Sequence, residues 1–344
     1  MMNKNLDIIK KGYDHRRFRW IMVTMLLVVL TLFLSGVMLI LGNTRYPITT
    51  VIRVLFGEQI QGASFAIGTL RLPRMLSGLL AGIAFGMAGN TFQTMLRNPL
   101  ASPDIIGVTS GSSVAAVFCI IILKISGNTV SAAAVISGLS VAALIYLLSK
   151  GGSFSGGRLI LIGIGIQAML NAVISFLLIR ANQYDVPAAL RWLNGSLNGM
   201  QMKRIPGLFL VVIIFGSVIA LLGRHLKILE LGEQSAVTLG LKTDQTRLLL
   251  VLSAVFLIAY STAVTGPIAF VAFLAGPIAG RLAGTGMSNG IPSGLVGASL
   301  VLGADLIGQF AFDIRFPVGI ITGILGAPYL LYLLIRMNRT GGAA

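Results

Sequence analysis

Glu230 and Glu233 stand three residues apart in RHLKILELGEQSAVTLGLKTDQTR, residues 224–247, a charged interruption between long apolar runs. Leu229, Ala236 and Leu239 fall near helical spacing around them. Gly232 interrupts the pattern. Gly240 reads as a helix stop, and Thr243-Asp244 read as caps for the next helix. The stretch predicts one or two short amphipathic helices lying outside a bilayer. A connection that only joined two membrane spans needs far fewer residues. Taken alone, the stretch fits either a solvated loop or a docking surface for a partner protein. Neither reading is catalytic.

Reactive groups elsewhere are sparse. His15 and His225 are the only histidines, each near the end of an apolar run, where a surface role is expected. Cys119, the only cysteine, falls inside an apolar run, which excludes an intrachain disulfide and a thiolate metal cluster. No G-x-x-x-x-G-K-[ST] occurs, so the chain has no P-loop of its own. No metal-spaced His/Cys cluster and no nucleophile–base set stands out. The expectation is a non-enzyme with no cofactor, no metal and no nucleic-acid partner.

The elements that must position these residues are membrane helices. Hydrophobic residues make up 56% of the 344 and charged residues only 10%, against about a quarter charged in soluble domains. Uncharged runs recur at 21–44, 75–96, 105–123, 125–149, 159–179, 205–223, 248–280, 282–304 and 316–335. A bilayer core needs about 20 apolar residues in a helix. The 248–280 run would reach about 50 Å as one helix, too long for a core of about 30 Å. Thr265-Gly266-Pro267 breaks it into two. The fold class is therefore an all-α polytopic membrane protein with about ten transmembrane helices and short helices at 224–247. The runs lack strict alternation, which excludes a β-barrel. The 21–44 run exceeds a signal-peptide core and reads as an uncleaved span.

Ten spans put both termini on one side. With the N-terminus inside, sixteen of the 26 Lys and Arg fall inside, six of them within residues 1–20. The positive-inside rule then makes the termini and 224–247 cytoplasmic. The outer set retains Arg45, Arg53, Arg71, Arg74, Arg180, Arg191, Lys203, Arg204 and Arg315, faced by Glu58, Asp185 and Asp313. Such a face steers an acidic partner or an anionic ligand, or anchors helix ends to membrane lipid by snorkelling.

Within the spans, Gly78, Gly82 and Gly86 recur every four residues, as do Gly276, Gly280 and Gly284, and Gly319 with Gly323. Small residues at that interval let helix backbones approach closely in lipid. Gln167, Asn171 and Ser175 form a polar stripe on the fifth span, which faces either a water-filled path or a neighbouring helix. Asp305 sits inside the ninth run, near its outer end, and reads as a functional carboxylate, a cap or the partner of an arginine. Carboxylates are otherwise almost absent from the spans, which weakens a proton- or sodium-coupled mechanism. A passive channel, or a transporter powered by another chain, remains.

The chain resembles the FecCD family, the permease subunits of ABC importers for iron–siderophore complexes, haem and vitamin B12. The residues that carry the resemblance are R-L-P-R at 71–74, N-P-L-A at 98–101, L-G-E-Q-S-A…L-G at 231–240, T-G-P-I-A-F-V at 265–271, A-D at 304–305 and P-V-G-I-I-T-G-I-L-G-A-P at 317–328. It implies a single permease domain over 1–344, with 1–20 a basic cytoplasmic N-terminus and 224–247 a cytoplasmic coupling segment. The implied setting is a bacterial inner (plasma) membrane, with a second permease subunit, identical or different, and a P-loop ATPase dimer as partners. An extracytoplasmic substrate-binding protein completes them.

The resemblance assigns ATPase coupling to Glu230, Gly232, Glu233, Ala236, Leu239 and Gly240. It assigns binding-protein docking to Arg71 and Arg74, with Arg315 standing in for a family arginine that aligns with Gln309. Asn98 and Leu100 match a cytoplasmic gate and 150–157 a second gate region, while Gln167 and Asn171 are candidate pathway residues from their own spacing. Gly276-Pro277 departs from the family's Pro-His. The expected function is import of ferric siderophores. Vitamin B12 or haem import is the alternative within the class; an ion-coupled secondary transporter and a non-transporting scaffold are the alternatives outside it.

Overall fold

The computed structural model describes residues 2–149, 156–284 and 286–339. Its helices, in chain order, are α1 (Met2–Ile40), α2 (Ile48–Leu55), α3 (Leu72–Met95), α4 (Val108–Ile121), α5 (Asn128–Ser149), α6 (Gly156–Ile179) and α7 (Val186–Leu193). Then come α8 (Ile205–Leu221), α9 (Gly223–Glu230), α10 (Glu233–Thr238), α11 (Thr243–Thr265), α12 (Val271–Ala283), α13 (Gly290–Phe310) and α14 (Val318–Arg339). Eight of these are long and apolar enough to span a bilayer, and the shorter apolar α4 and α12 complete the ten expected from the sequence. The polypeptide is a multi-pass membrane protein. We call the side where α1 begins and α14 ends the terminal side and the other the far side.

Helix α3 is the centre of the bundle, packed by α13, α11, α12 and α8. Its glycines explain how. A Cβ on Gly82 would lie 2.5 Å from the Ala298 Cα, one on Gly86 would lie 2.1 Å from the Ser293 carbonyl oxygen, and one on Gly89 would lie 1.8 Å from the Ala272 carbonyl oxygen. The backbones of α13 and α12 thus rest directly on α3, the geometry that small-residue spacing permits in lipid. Of the other glycine repeats, Gly319 also rests on backbone, where a Cβ would lie 1.9 Å from the Asn194 carbonyl oxygen, but the rest behave differently. Gly276 faces the Gln93 side chain, Gly284 ends α12 at φ +86°, and Gly323 faces open space.

Three local expectations are revised. The second span begins earlier than Pro73, because Phe65–Arg71 forms a π-helical lead into α3 in which the Leu72 amide donates to the Ile67 carbonyl. Thr243 and Asp244 are the first residues of α11, and no side chain caps it. The ninth span is displaced from 282–304 to 290–310. Gly284 takes a positive φ and residues 286–289 are non-helical, while at the other end the helix runs past Asp305 to Phe310. The 150–157 gate region falls mostly outside the described residues.

The break expected at Thr265-Gly266-Pro267 is present. Gly266 takes φ +73° and helix α12 starts only at Val271. Non-helical backbone at membrane depth survives only where protein or a cavity satisfies it. Here the Thr265 carbonyl accepts from the Ser196 amide at 2.7 Å, and Pro267, Ile268 and Ala269 line a cleft.

Candidate functional site

The far-side mouth gathers the three arginines singled out from the sequence. Arg71 ends the π-helical lead. Its guanidinium donates to the carbonyls of Leu39 and Ile40 at 2.9 Å each and of Thr44 at 2.6 Å, and stacks over Tyr46 at 5.1 Å. It therefore closes the C-terminus of α1, whose last carbonyls have no helical partners. Arg74, one turn into α3, grips Asp305 of α13 with two bonds of 2.8 Å and also donates to the Asn198 side chain. Gln309 donates to the same carboxylate at 2.7 Å.

Asp305 is 1% exposed and Arg74 15%. Of the three readings open for this carboxylate, the arginine pair is the one formed. A bidentate pair plus an amide donor is the full satisfaction a buried carboxylate requires. Arg315 is exposed and donates to the Asn43 side chain. Arg71, Arg74, Gln309 and Arg315 all border one cleft of ≈ 300 Å³. Sequence reasoning missed Asn198, which has no motif and joins the site only through the fold.

At membrane depth, Gln167, Asn171 and Ser175 of α6 do share a face, and it borders a cleft of ≈ 430 Å³. Asp104, Thr109 and Ser113 stand on the other wall. Asp104 accepts from Thr109 and, at 2.9 Å, from Ser102, so its charge is held by hydroxyls. Phe270, at φ +63°, borders the same space. The lining is mostly apolar, and its polar groups are neutral amides and hydroxyls with a single carboxylate, Asp104.

On the terminal side, α9 and α10 form the two short helices expected from residues 224–247. Gly232, at φ +104°, separates them. Gly240, at φ +80°, closes α10: its amide donates to Val237 at 2.8 Å and the Leu241 amide to Ala236 at 3.0 Å. These two bonds are a Schellman cap. Leu226, Leu229 and Ala236 are buried beneath, while Leu231, Val237 and Leu239 are 64%, 56% and 62% exposed. Lys227 bonds Glu230 at 2.7 Å, and Arg247 reaches Glu233 at 3.5 Å. The result is an apolar tip edged by two carboxylates.

Asn98 borders a cleft of ≈ 310 Å³ beside this unit, together with Gln93, Lys227, Glu230 and Pro277. Its side chain accepts from the Leu100 amide at 2.9 Å. The four candidate gate and pathway residues therefore divide: Asn98 and Leu100 lie at the terminal side, and Gln167 and Asn171 at the deeper cleft. Gln93 was not anticipated. Its amide donates to the Phe273 carbonyl at 2.9 Å, and a Cβ on Gly276 would lie 2.0 Å from its oxygen. The Gly276-Pro277 departure thus makes room for Gln93. Among the described residues no group of three His, Cys, Asp or Glu could hold a metal ion.

Residues 12–336 match the FecCD transport family. The ferric enterobactin transport system permease protein FepG of Escherichia coli (strain K12) is 35% identical over 323 residues, covering 93% of this chain and 98% of that protein. The cobalamin import system permease protein BtuC of Halobacterium salinarum is 32% identical over 309 residues, covering 88% and 83%. A solved structure described as an inward-facing metal-chelate type ABC transporter superposes with a TM-score of 0.81 at 27% identity, covering 91% of this chain and 99% of that one.

Proposed function

Since the chain belongs to the FecCD transport family and is a permease subunit of a metal-chelate type ABC importer, we propose that it carries ferric siderophores inward across a bacterial plasma membrane. Residues 1–344 act as one permease domain with cytoplasmic termini, in keeping with the positive-inside balance. A cytoplasmic P-loop ATPase dimer drives it, and a second permease subunit shares the path. An extracytoplasmic binding protein delivers the chelate to the face bearing Arg71, Arg74 and Arg315.

The observation that carries this reading is the tip of α9 and α10. Leu231, Val237 and Leu239 are exposed on a rigidly capped pair of short helices, beyond what loop closure needs. An exposed apolar tip with a charged edge fits a protein cleft. Glu230, Gly232, Glu233, Ala236, Leu239 and Gly240 are its parts: the glycines set its shape, Ala236 seats it, and Leu239 with the carboxylates meets the ATPase. ATP-driven closure of the ATPases pushes this unit, and its motion passes to α3 through the terminal-side cleft at Asn98 and Leu100. The α6 face with Gln167 and Asn171 borders the solute path. The bundle switches between two packings, outward- and inward-open.

Ferric siderophores are favoured because relatives named for enterobactin and achromobactin transport match at 35% and 36% identity. The cobalamin relative, at 32%, supports vitamin B12 as the second reading. Purification from native membranes with identification of co-purifying chains tests the assembly. Recovery of a P-loop ATPase and a second permease is expected. Recovery of this chain alone, still transporting without ATP, would establish a secondary transporter instead. Competition between radio-iron-labelled siderophore and cobalamin in reconstituted vesicles then separates the two substrates.

A further inference from the structure

The fourth and fifth turns of α1 carry a second arginine cluster with no part in the transport reading. Arg16, Arg17 and Arg19 are exposed on α1, and Arg281 is exposed in the last turn of α12. The cluster is anchored. Arg19 donates to the carbonyls of Arg281 and Leu282 at 2.8 and 3.0 Å, which caps the C-terminus of α12. The Trp20 indole donates to the Ser288 carbonyl at 3.0 Å. The Arg16 stem lies over Gly286, where a Cβ would come within 2.6 Å of it. Arg281 sits 5.8 and 5.4 Å above the rings of Tyr329 and Tyr332. The only nearby acid on the α1 turns is Asp14, and none of these arginines forms an ion pair among the described residues.

What faces this cluster follows from the helix above it. Phe18 is 67% exposed, and Met22, Met25, Leu26 and Val29 continue the same exposed apolar face along α1. A face of that length belongs to a helix in contact with hydrocarbon. Arg17 precedes Ile21 by four residues, about 6 Å of helix, which sets it at headgroup depth. Lys10 lies seven residues further back on the same face. Basic side chains immediately outside an apolar span, with an aromatic at the boundary, select anionic headgroups.

We propose that Arg16, Arg17 and Arg281 form a binding site for the phosphate of an anionic phospholipid, with Arg19 and Trp20 holding the site in shape. The lipid seats where α1 crosses the α12–α13 loop. It ties the first span to a loop that ends beside Asn289 at the terminal-side cleft.

Trp20 reports on this directly. The chain has two tryptophans, so Trp192→Phe leaves Trp20 alone in the full-length protein. The protein is reconstituted in phosphatidylcholine bilayers containing an equal fraction of brominated phosphatidylglycerol or brominated phosphatidylcholine. We expect stronger quenching by the glycerol lipid, and an apparent preference that falls about fivefold for each arginine lost in Arg16→Ala and Arg17→Ala. Arg16→Lys with Arg17→Lys keeps the preference, which separates charge from misfolding. Equal quenching by both lipids, or a preference indifferent to the alanine changes, would overturn the proposal. So would a Trp20 that neither lipid quenches, because a protein would then cover the face.

Discussion

The far-side mouth and the α9–α10 unit are both charged, and they spend their charges in opposite ways. At the mouth, Arg71 closes α1 and Arg74 is locked to Asp305, so two of three conspicuous arginines hold helices together. At α9–α10 the carboxylates, each met by a basic neighbour at the surface, edge an apolar tip whose side chains are more than half exposed. The lesson is that conspicuous charge in a membrane protein has two meanings. Where it is buried and bidentate it is structural, and substitution damages the fold. Where it is exposed beside unpartnered leucines it is available, and substitution damages an encounter.

The largest effect expected from this contrast is at Asp305. Asp305→Ala strands Arg74 in a largely buried setting, and the loss is about 3–5 kcal/mol. Denaturant unfolding of the solubilised protein measures it. Arg74→Met combined with Asp305→Leu recovers most of that loss, whereas an unaltered midpoint for Asp305→Ala alone would mean the pair does not hold the mouth. Next is Gly89→Ala, which drives a methyl into the Ala272 carbonyl and costs about 1–3 kcal/mol. Gly323→Ala, facing open space, is its matched control and shows no loss.

At the other region stability is the quantity that stays fixed. Leu239→Asp shifts unfolding by less than about 0.5 kcal/mol, yet ATP hydrolysis in the reconstituted importer ceases to respond to substrate. A mutant that loses both would make Leu239 part of the core. Arg315→Glu tests the mouth by the same criterion, because Arg315 is exposed and, among the described residues, its side chain donates to Asn43 alone. Uptake falls while insertion and midpoint hold; retained uptake would remove Arg315 from docking.

The smallest effect is at the exposed Arg53–Glu58 pair. The hydrogen bond from Arg53 holds the Glu58 carboxyl below its usual range. Its stabilisation is therefore present at neutral pH and fades as pH falls through that carboxyl. Glu58→Gln should differ from the parent only slightly at pH 7, and not at all in acid.

The spans were legible because about 20 apolar residues per helix is a composition rule. Gly232 and Gly240 also announced their turns, since a left-handed residue favours glycine. Asp305 shows where such reading stops. A carboxylate inside an apolar run leaves its role open, and the arginine that settles it, Arg74, lies 231 residues away. Arg71 likewise looked available until the carbonyls of Leu39 and Ile40 came to meet it. The polar stripe of α6 was visible, but the wall it faces, from Asp104 to Ser113, depends on packing that no local spacing encodes.

The π-helical lead from Phe65 to Arg71 bears on how this chain tolerates insertion and deletion. A π turn closes i→i+5 bonds and so carries one more residue than the α turn it replaces. Deleting Gly68, whose position has nothing within 4 Å of a Cβ, would turn that lead into ordinary α-helix. Arg74 would still face Asp305, and α3 would keep its register on α13. The same deletion inside α3 would rotate every later glycine off its neighbour by about 100°. The lead is therefore the place where homologous chains can differ in length by one residue and still share one core.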